Sequence, residues 1–313
     1  MRQHTIRKLA AASASLGLLG WFALRSRNTE ANVERRPRRQ DNLPPRPTPT
    51  PQGDTVQIPT WADRVIQRVS RHEGNYWSQN KNRDRCGLSF GIIQWAQCVG
   101  NLGKLLLAMK QDAPVQFATT FGPHWQELLT VTNATGGEAQ RIRPVGGVKL
   151  WQEPWSTRFD TAGRHPTWQH TQRQLAFQGH HFELAMELAS TLGVDTERGM
   201  AIMYDRAVQQ SPKALRSIAA KTNRQLENAK TTSFERAKHF ARNCALNFWR
   251  KAGPRPNDWS SRLVWKPASD GSWHMWSGSF DLYEGISKRN RNITGDGMLT
   301  DNRVLDTPGQ ALV

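Results

Sequence analysis

A chain of 313 residues is long enough for one large domain or two small ones, and its 37% hydrophobic content leaves room for long polar tails beside a folded core. The formal net charge of +17 favours anionic partners, namely nucleic acid, acidic headgroups or an anionic cell wall, with a merely solvated basic surface as the plain alternative. The three cysteines, Cys86, Cys98 and Cys244, contain no Cys-x-x-Cys pair and so leave no place for a zinc ribbon.

The N-terminus reads as a targeting segment, residues 1–27. Arg2, Arg7 and Lys8 precede an uncharged run from Leu9 to Leu24, closed by Arg25 and Arg27. The run is longer than many signal-peptide cores but short of the roughly 20 residues of a full span. Small residues lie early in it, with no good cleavage site after Leu24, which favours an uncleaved anchor over a removed signal peptide. A mitochondrial presequence stays open. Residues 28–58 form a basic, proline-rich linker, RRPRRQ followed by NLPPRPTPTPQ, in which repeated prolines impose an extended chain.

Twelve of the thirteen tryptophans lie between Trp61 and Trp276, which places the folded domain at residues 59–285. It reads as mainly α with a small β-hairpin or sheet. Trp61 to Glu73 is an amphipathic helix. Gly87 to Trp95 reads as a short strand or hairpin, with Leu88, Phe90, Ile92 and Gln94 alternating against Ser89, Gly91, Ile93 and Trp95. Leu102 to Gln111 is a leucine-centred helix, and Asn133 to Val148 is a loop. Trp168 to Leu192 reads as one or two helices ended by Gly193, and Asp195 or Thr196 caps the next, which runs to Gln210. Lys213 to Leu226 and Phe234 to Lys251 are two more. Beyond Gly253 the tryptophans sit among Pro, Gly and Ser in an irregular aromatic segment, and residues 286–313 read as a disordered tail.

Glu73 is the strongest candidate for chemistry. In WADRVIQRVSRHEG, Val65, Val69 and Glu73 fall at i, i+4 and i+8, so the carboxylate shares an apolar helical stripe. Gly74 follows and suits a helix C-terminus. Desolvation and the negative end of the helix dipole both raise a carboxyl pKa there, and a carboxylic acid protonated near neutral pH can protonate a glycosidic oxygen. The competing reading pairs Glu73 with Arg71 or Arg85. Asp205 in MYDRAVQQ reads as a buried acid paired with Arg206 or a more distant arginine, and Asp160 is a lesser candidate. The histidines have no metal-ligand spacing, so neither a metal nor a cofactor is expected. No phosphate loop or Gly-x-Ser-x-Gly occurs.

After Glu73 comes NYWSQNKNRDRCGLSFGIIQWAQ, and SFGIIQW at Ser89 to Trp95 is an "xFGxxQ" stretch. With its order of helix-end Glu, polar loop and small sheet, the segment resembles the lysozyme-like superfamily, in the manner of goose-type lysozymes and chitosanases. The helix from Gly199 to Gln210 resembles a core helix of the chitosanase-like proteins. The resemblance is specific over about forty residues and loose elsewhere, and neither the chitosanase hairpin nor the goose-type motif is reproduced in full. It implies a two-lobed α+β fold and hydrolysis of β-1,4 bonds in an aminosugar polymer, peptidoglycan first and chitosan second. Glu73 would be the acid and Asp84, eleven residues on, the base. Asp84 reads otherwise as a turn residue of its own loop. Tyr76, Trp77, Ser89, Gln94 and Trp95 are the candidate sugar-contacting residues, against ordinary core packing of the aromatics and a buried, backbone-satisfying Gln94.

Cys86 and Cys98 flank the hairpin and can pair in an oxidising compartment; three buried free thiols are the alternative. The expected partners are a polysaccharide substrate and, through the N-terminal segment, a membrane. The expected location is outside the cytoplasm, anchored and facing the periplasm or wall, or secreted if the segment is cleaved. A glycan-binding module without activity is the second function class. Nucleic-acid binding rests on charge alone, with no recognition motif behind it.

Overall fold

In the computed structural model, residues 57–82, 85–253 and 263–305 are described. The N-terminal segment, nearly all of the linker, and Asp84 lie outside them. Helix α1 (Thr60–Glu73) forms where expected, and its stripe of Ala62, Val65, Ile66, Val69 and Glu73 is buried. A three-stranded antiparallel sheet follows, in the order β1 (Gln79–Lys81), β2 (Leu88–Phe90), β3 (Trp95–Ala96). The run expected to alternate from Leu88 to Trp95 is thus a hairpin. Its strand stops at Phe90 because Gly91 (φ +84°) and Gln94 (φ +54°) turn the backbone into the left-handed region. A disulfide joins Cys86 to Cys98 across this hairpin, with Cα atoms 4.9 Å apart, while Cys244 is free and buried.

Next come α2 (Asn101–Asp112), α3 (Pro114–Phe121), α4 (Trp125–Thr132), the short α5 (Glu138–Arg141), α6 (Trp155–Arg164) and α7 (Pro166–Phe177). Leu102, Leu105, Leu106 and Met109 give α2 its buried stripe, and Trp168 of α7 donates its indole N–H to Met109 O at 2.8 Å. Helices α3, α4 and α6 go beyond the expected elements. α5 interrupts the expected Asn133–Val148 loop.

Helix α8 (His180–Leu192) ends at left-handed Gly193, and Thr196 caps α9 (Glu197–Gln209) by accepting from Gly199 N. α9 is buried from Gly199 to Gln209, the signature of a helix enclosed on all sides. α8, α1, α11 (Ser233–Leu246) and α12 (Leu282–Thr294) all pack on it, and α10 (Pro212–Gln225) bridges α8 and α11. One continuous core joins this bundle to the α2–α7 group through α1.

Two expectations fail at the C-terminal end. The segment expected to be irregular contains a sheet built on β4 (Trp249–Arg250), β5 (Leu263–Pro267), β6 (Trp273–Ser277) and β7 (Phe280–Asp281). Trp265 and Met275 face a second small core with Leu282 and Ile286 of α12. The segment from 286 onward is not a loose tail through Leu305. α12 continues to Thr294, and Leu299 and Leu305 are buried, with Val304 N donating to Asp195 O at 2.8 Å. Polar composition misleads here because Leu282, Ile286, Arg289 and Ile293 are spaced as a helical stripe that pins the segment down. The described residues are mainly helical with small antiparallel sheets, and no helix among them is long and apolar enough to cross a membrane.

Candidate active site

Glu73 is the last residue of α1, and its apolar stripe turns the side chain inward until it has no solvent exposure. Two donors converge on one carboxylate oxygen: Arg289 Nη2 donates to Oε1 at 2.6 Å, and Gln209 Nε2 donates to the same atom. The other oxygen, Oε2, is buried and has no hydrogen-bond partner among the described residues. α12 supplies Arg289, and the end of α9 supplies Gln209.

Arg289 does not belong to Glu73 alone. Its Nε donates to Asp205 Oδ1 at 3.0 Å, its Nη2 also reaches that oxygen, and its Nη1 donates to His72 O at 3.2 Å. Arg206 Nε donates to Asp205 Oδ2 at 3.0 Å. Glu73, Arg289, Asp205 and Arg206 therefore alternate in sign along a buried chain, with Asp205 and Arg206 fully enclosed. An ion cluster is tolerable in a core only when its members pair with one another.

The two acids are driven apart. Burial pushes the Glu73 carboxyl up, and the Asp205 charge adds to this; Arg289 opposes it but is shared with Asp205. Burial acts on Asp205 too, but the Arg206 and Arg289 charges outweigh it and hold that carboxyl well below its ordinary range. Arg289 is held charged by Asp205 and Glu73 against the cost of burial. The His72 imidazole is pushed down by burial and by Arg289. The arrangement is one carboxyl biased toward its neutral form beside another fixed as an anion, a separation used for acid chemistry at neutral pH.

The other sequence candidates are less uniform. Tyr76 and Trp77 are half-buried in the turn after α1. Tyr76 OH accepts from Arg173 Nη1 at 3.0 Å, and the Arg164 guanidinium lies 4.3 Å from the centre of the Trp77 ring. α6 approaches this turn so closely at Gly163 that a Cβ there would lie 2.4 Å from Trp77 Cα. Ser89, Gln94 and Trp95 are buried inside the hairpin rather than presented on a surface. Gln94 Nε2 donates to Gly91 O at 2.9 Å and closes the turn, the backbone-satisfying alternative. Trp95 packs in the core. All three help to build the hairpin. Asp160 is on the exposed side of α6, paired with Arg164 at 2.8 Å and apart from the Glu73 cluster. Asp205 pairs with both Arg206 and a distant arginine. Glu73 is bound by Arg289 and not by Arg71 or Arg85 among the described contacts.

Sequence reasoning did not single out Arg289 or Gln209. The signal for Arg289 was present, since it sits on the apolar stripe of α12 as Glu73 sits on that of α1. Gln209 carried none, because a Gln at the end of an apolar helix has many uses. No group of His, Cys, Asp and Glu among the described residues has the arrangement of a metal site. A cavity of about 470 Å³ lies elsewhere, lined by Trp61, Arg64, Glu197, Thr300 and Arg303 among others, and none of its lining residues belongs to the Glu73 cluster.

No protein-family model matches the chain, and no curated protein matches it. Among solved structures the fold is similar to that of a native chitosanase of Bacillus subtilis MY002 at 13% identity, covering 60% of this chain and 77% of that one with a TM-score of 0.41. The values are the same for a mutant of that chitosanase complexed with 6 GlcN. A GH46 chitosanase of Gynuella sunshinyii in complex with chitotetraose is 17% identical, with 60% and 78% covered and a TM-score of 0.41.

Proposed function

We propose that this protein is a glycoside hydrolase that cleaves β-1,4 bonds in an aminosugar polymer, with Glu73 as proton donor. The observation that carries the reading is the state of that side chain. It sits at the end of α1, burial biases it toward the protonated form, and Arg289 and Gln209 fix one oxygen while Oε2 has no hydrogen-bond partner among the described residues. A carboxyl held by one oxygen keeps the other as the site for the proton it delivers once substrate reaches it. Arg289 and Asp205 act as positioning residues, since they touch Glu73 or its partner. Asp84 is the proposed base that activates water on the opposite face of the sugar, as inverting hydrolysis requires with carboxyls about 6.5–9.5 Å apart.

Peptidoglycan is the proposed substrate, with chitosan as its alternative. A chain of net charge +17 attracts an anionic wall and repels a polycation, although charge within the cleft has the final say. Both polymers belong in the assay, because the resemblance of the Glu73–Gln97 segment reaches lysozymes and chitosanases alike. We also propose export, with tethering through residues 1–27. The Cys86–Cys98 disulfide supports an oxidising compartment.

One observation favours a second reading, a glycan-binding module without activity. The Glu73 side chain is fully enclosed and ion-paired, so a substrate reaches it only if the surroundings open. The test is turbidity loss on purified cell walls beside reducing-sugar release from chitosan, for the wild type, Glu73→Gln and Asp84→Asn. Activity on either polymer that Glu73→Gln abolishes supports the enzyme. Retained activity in Glu73→Gln removes Glu73 as the acid. Retention of the protein on either polymer without cleavage selects the binding module.

A further inference from the structure

The positive charge of the folded part is concentrated. Residues 211–253 contain ten Lys and Arg but only Glu227 and Glu235 as acids, close to half of the chain's net +17 in a seventh of its length. The stretch builds α10 and α11, which pack against each other and bury Leu215, Ile218 and Ala219 on one side and Ala237, Phe240 and Ala241 on the other. Their apolar stripes are turned inward, so the cations are left outside. Lys213, Lys221 and Arg224 are exposed on α10, and Lys238 and Arg242 on α11.

The two helices are locked in register where these cations lie. Asn243 Nδ2 of α11 donates to Thr222 Oγ1 and Gln225 Oε1 of α10, each at 2.8 Å. This brings the Lys221–Arg224 turn beside Arg242. Few of these charges have an ion pair. Among the described residues, Arg216 is the one cation of this stretch with an ion pair, to Glu187 at 2.7 Å. Glu235 is folded back on Thr232 in a capping box, from where its charge acts on Lys238. Cations exposed along about 20 Å of helix, Lys213, Lys221, Arg224 and Arg242 among them, repel one another and gain from a shared multivalent anion.

We infer that the exposed face of α10 and α11 binds a linear, phosphate-bearing polyanion. Charge complementarity and shape single out this occupant. The cations run lengthwise along two packed helices, which suits a strand. The exposed large apolar residues among those described are Leu107, Val115 and Met298, all outside these helices, so the face has no apolar group to insert into a bilayer. Its nearest aromatic, Phe234, is half-buried beneath Lys238 and Arg198, which leaves no open ring for base stacking. Recognition is by backbone charge alone. The inference does not depend on Glu73 or on any hydrolysis.

The test uses the full chain and labelled inorganic polyphosphate, with binding followed by fluorescence anisotropy across a salt series. Lys221→Gln, Arg224→Gln and Arg242→Gln together should weaken binding about tenfold or more and flatten the logarithmic salt slope by about 2. The charge-retaining triple Lys221→Arg, Arg224→Lys, Arg242→Lys should restore it. A control with the same charge change elsewhere, Lys81→Gln, Lys104→Gln and Arg143→Gln, should bind nearly as the wild type does. Equal loss in that control, or a wild type that does not bind, overturns the inference. It is also overturned if the first triple loses binding to phosphatidylglycerol vesicles but keeps polyphosphate, which would make the face a membrane contact.

Discussion

At the scale of single residues, the behaviour of Glu73 and Asp205 follows from one shared cation. Arg289 is divided between them, and Arg206 tips the balance by bonding Asp205 directly while reaching Glu73 only through its field. Under the proposed mechanism Glu73 must be protonated to act. Hydrolysis should then fall as pH rises through a pKa above the ordinary carboxylate range, which a pH–rate profile measures. Arg289 lowers that pKa, so Arg289→Gln should move the alkaline limb to higher pH while also slowing turnover, a change that simple loss of fold would not produce. Stability carries two opposite signs. The folded pKa of Glu73 is raised, so its contribution is complete at low pH and lost as pH climbs through that value. The folded pKa of Asp205 is depressed, so its contribution holds above the ordinary Asp range and is lost as pH falls through the folded value. Asp205→Asn takes the paired charge from buried Arg206 and leaves Arg289 with Glu73 alone, and should cost about 3–5 kcal/mol, read from the denaturant midpoint. A loss below 1 kcal/mol would show that the cluster relaxes without its central anion.

Among the elements, those announced by periodicity or caps formed within a few residues of expectation, and those that needed a partner did not. α1, α2 and α9 are examples of the first kind, since Val65 and Val69, or Leu102, Leu105 and Leu106, mark the inward face regardless of what covers it. β5 and β6 are of the second kind. Trp265 and Met275 read as scattered aromatics and apolars until α12 provides the surface on which they pack. Local geometry can be tested here. Thr232 and Glu235 form the reciprocal cap of α11, so Thr232→Ala should cost about 1 kcal/mol in thermal or chemical unfolding. Gly91 has φ +84°, and a Cβ there would lie 2.4 Å from the Gln172 amide oxygen, which accepts from Ile92 N. Gly91→Ala should therefore destabilise by more than about 1 kcal/mol and loosen the β2–β3 turn. Amide exchange at Ile92 and Gln94 would report it.

For the whole molecule, the C-terminal segment acts as a clasp. Asp296 binds Arg68 of α1 at 2.6 Å through both carboxylate oxygens, and Arg198 of α9 donates to the carbonyls of Thr294, Asp296 and Leu299. Leu299 and Leu305 add buried apolar surface, worth about 1.5–3 kcal/mol each. A chain ending at Gly295 should thus lose several kcal/mol and unfold at markedly lower temperature in calorimetry. An unchanged melting temperature would return residues 296–305 to the status of a passive tail. The same truncation spares α10 and α11, so binding of polyphosphate should survive wherever the shortened chain remains folded.

The sequence by itself determined the inward turn of Glu73, the helical character of the chain and the bracket of cysteines around the hairpin. Each is written in spacing along a single element, where the 3.6-residue period and the turn residues act locally. Which cation holds Glu73 was decided only by the tertiary structure. Arg289 lies 216 residues away in sequence, and nothing local couples the apolar stripe of α12 to that of α1. The structure likewise decided that Ser89, Gln94 and Trp95 build the hairpin and are not presented outward, because a two-residue period cannot reveal that the strand ends at Gly91. A charged side chain on an apolar stripe declares that it has a partner; only the packing of α1, α9 and α12 around one another selects it.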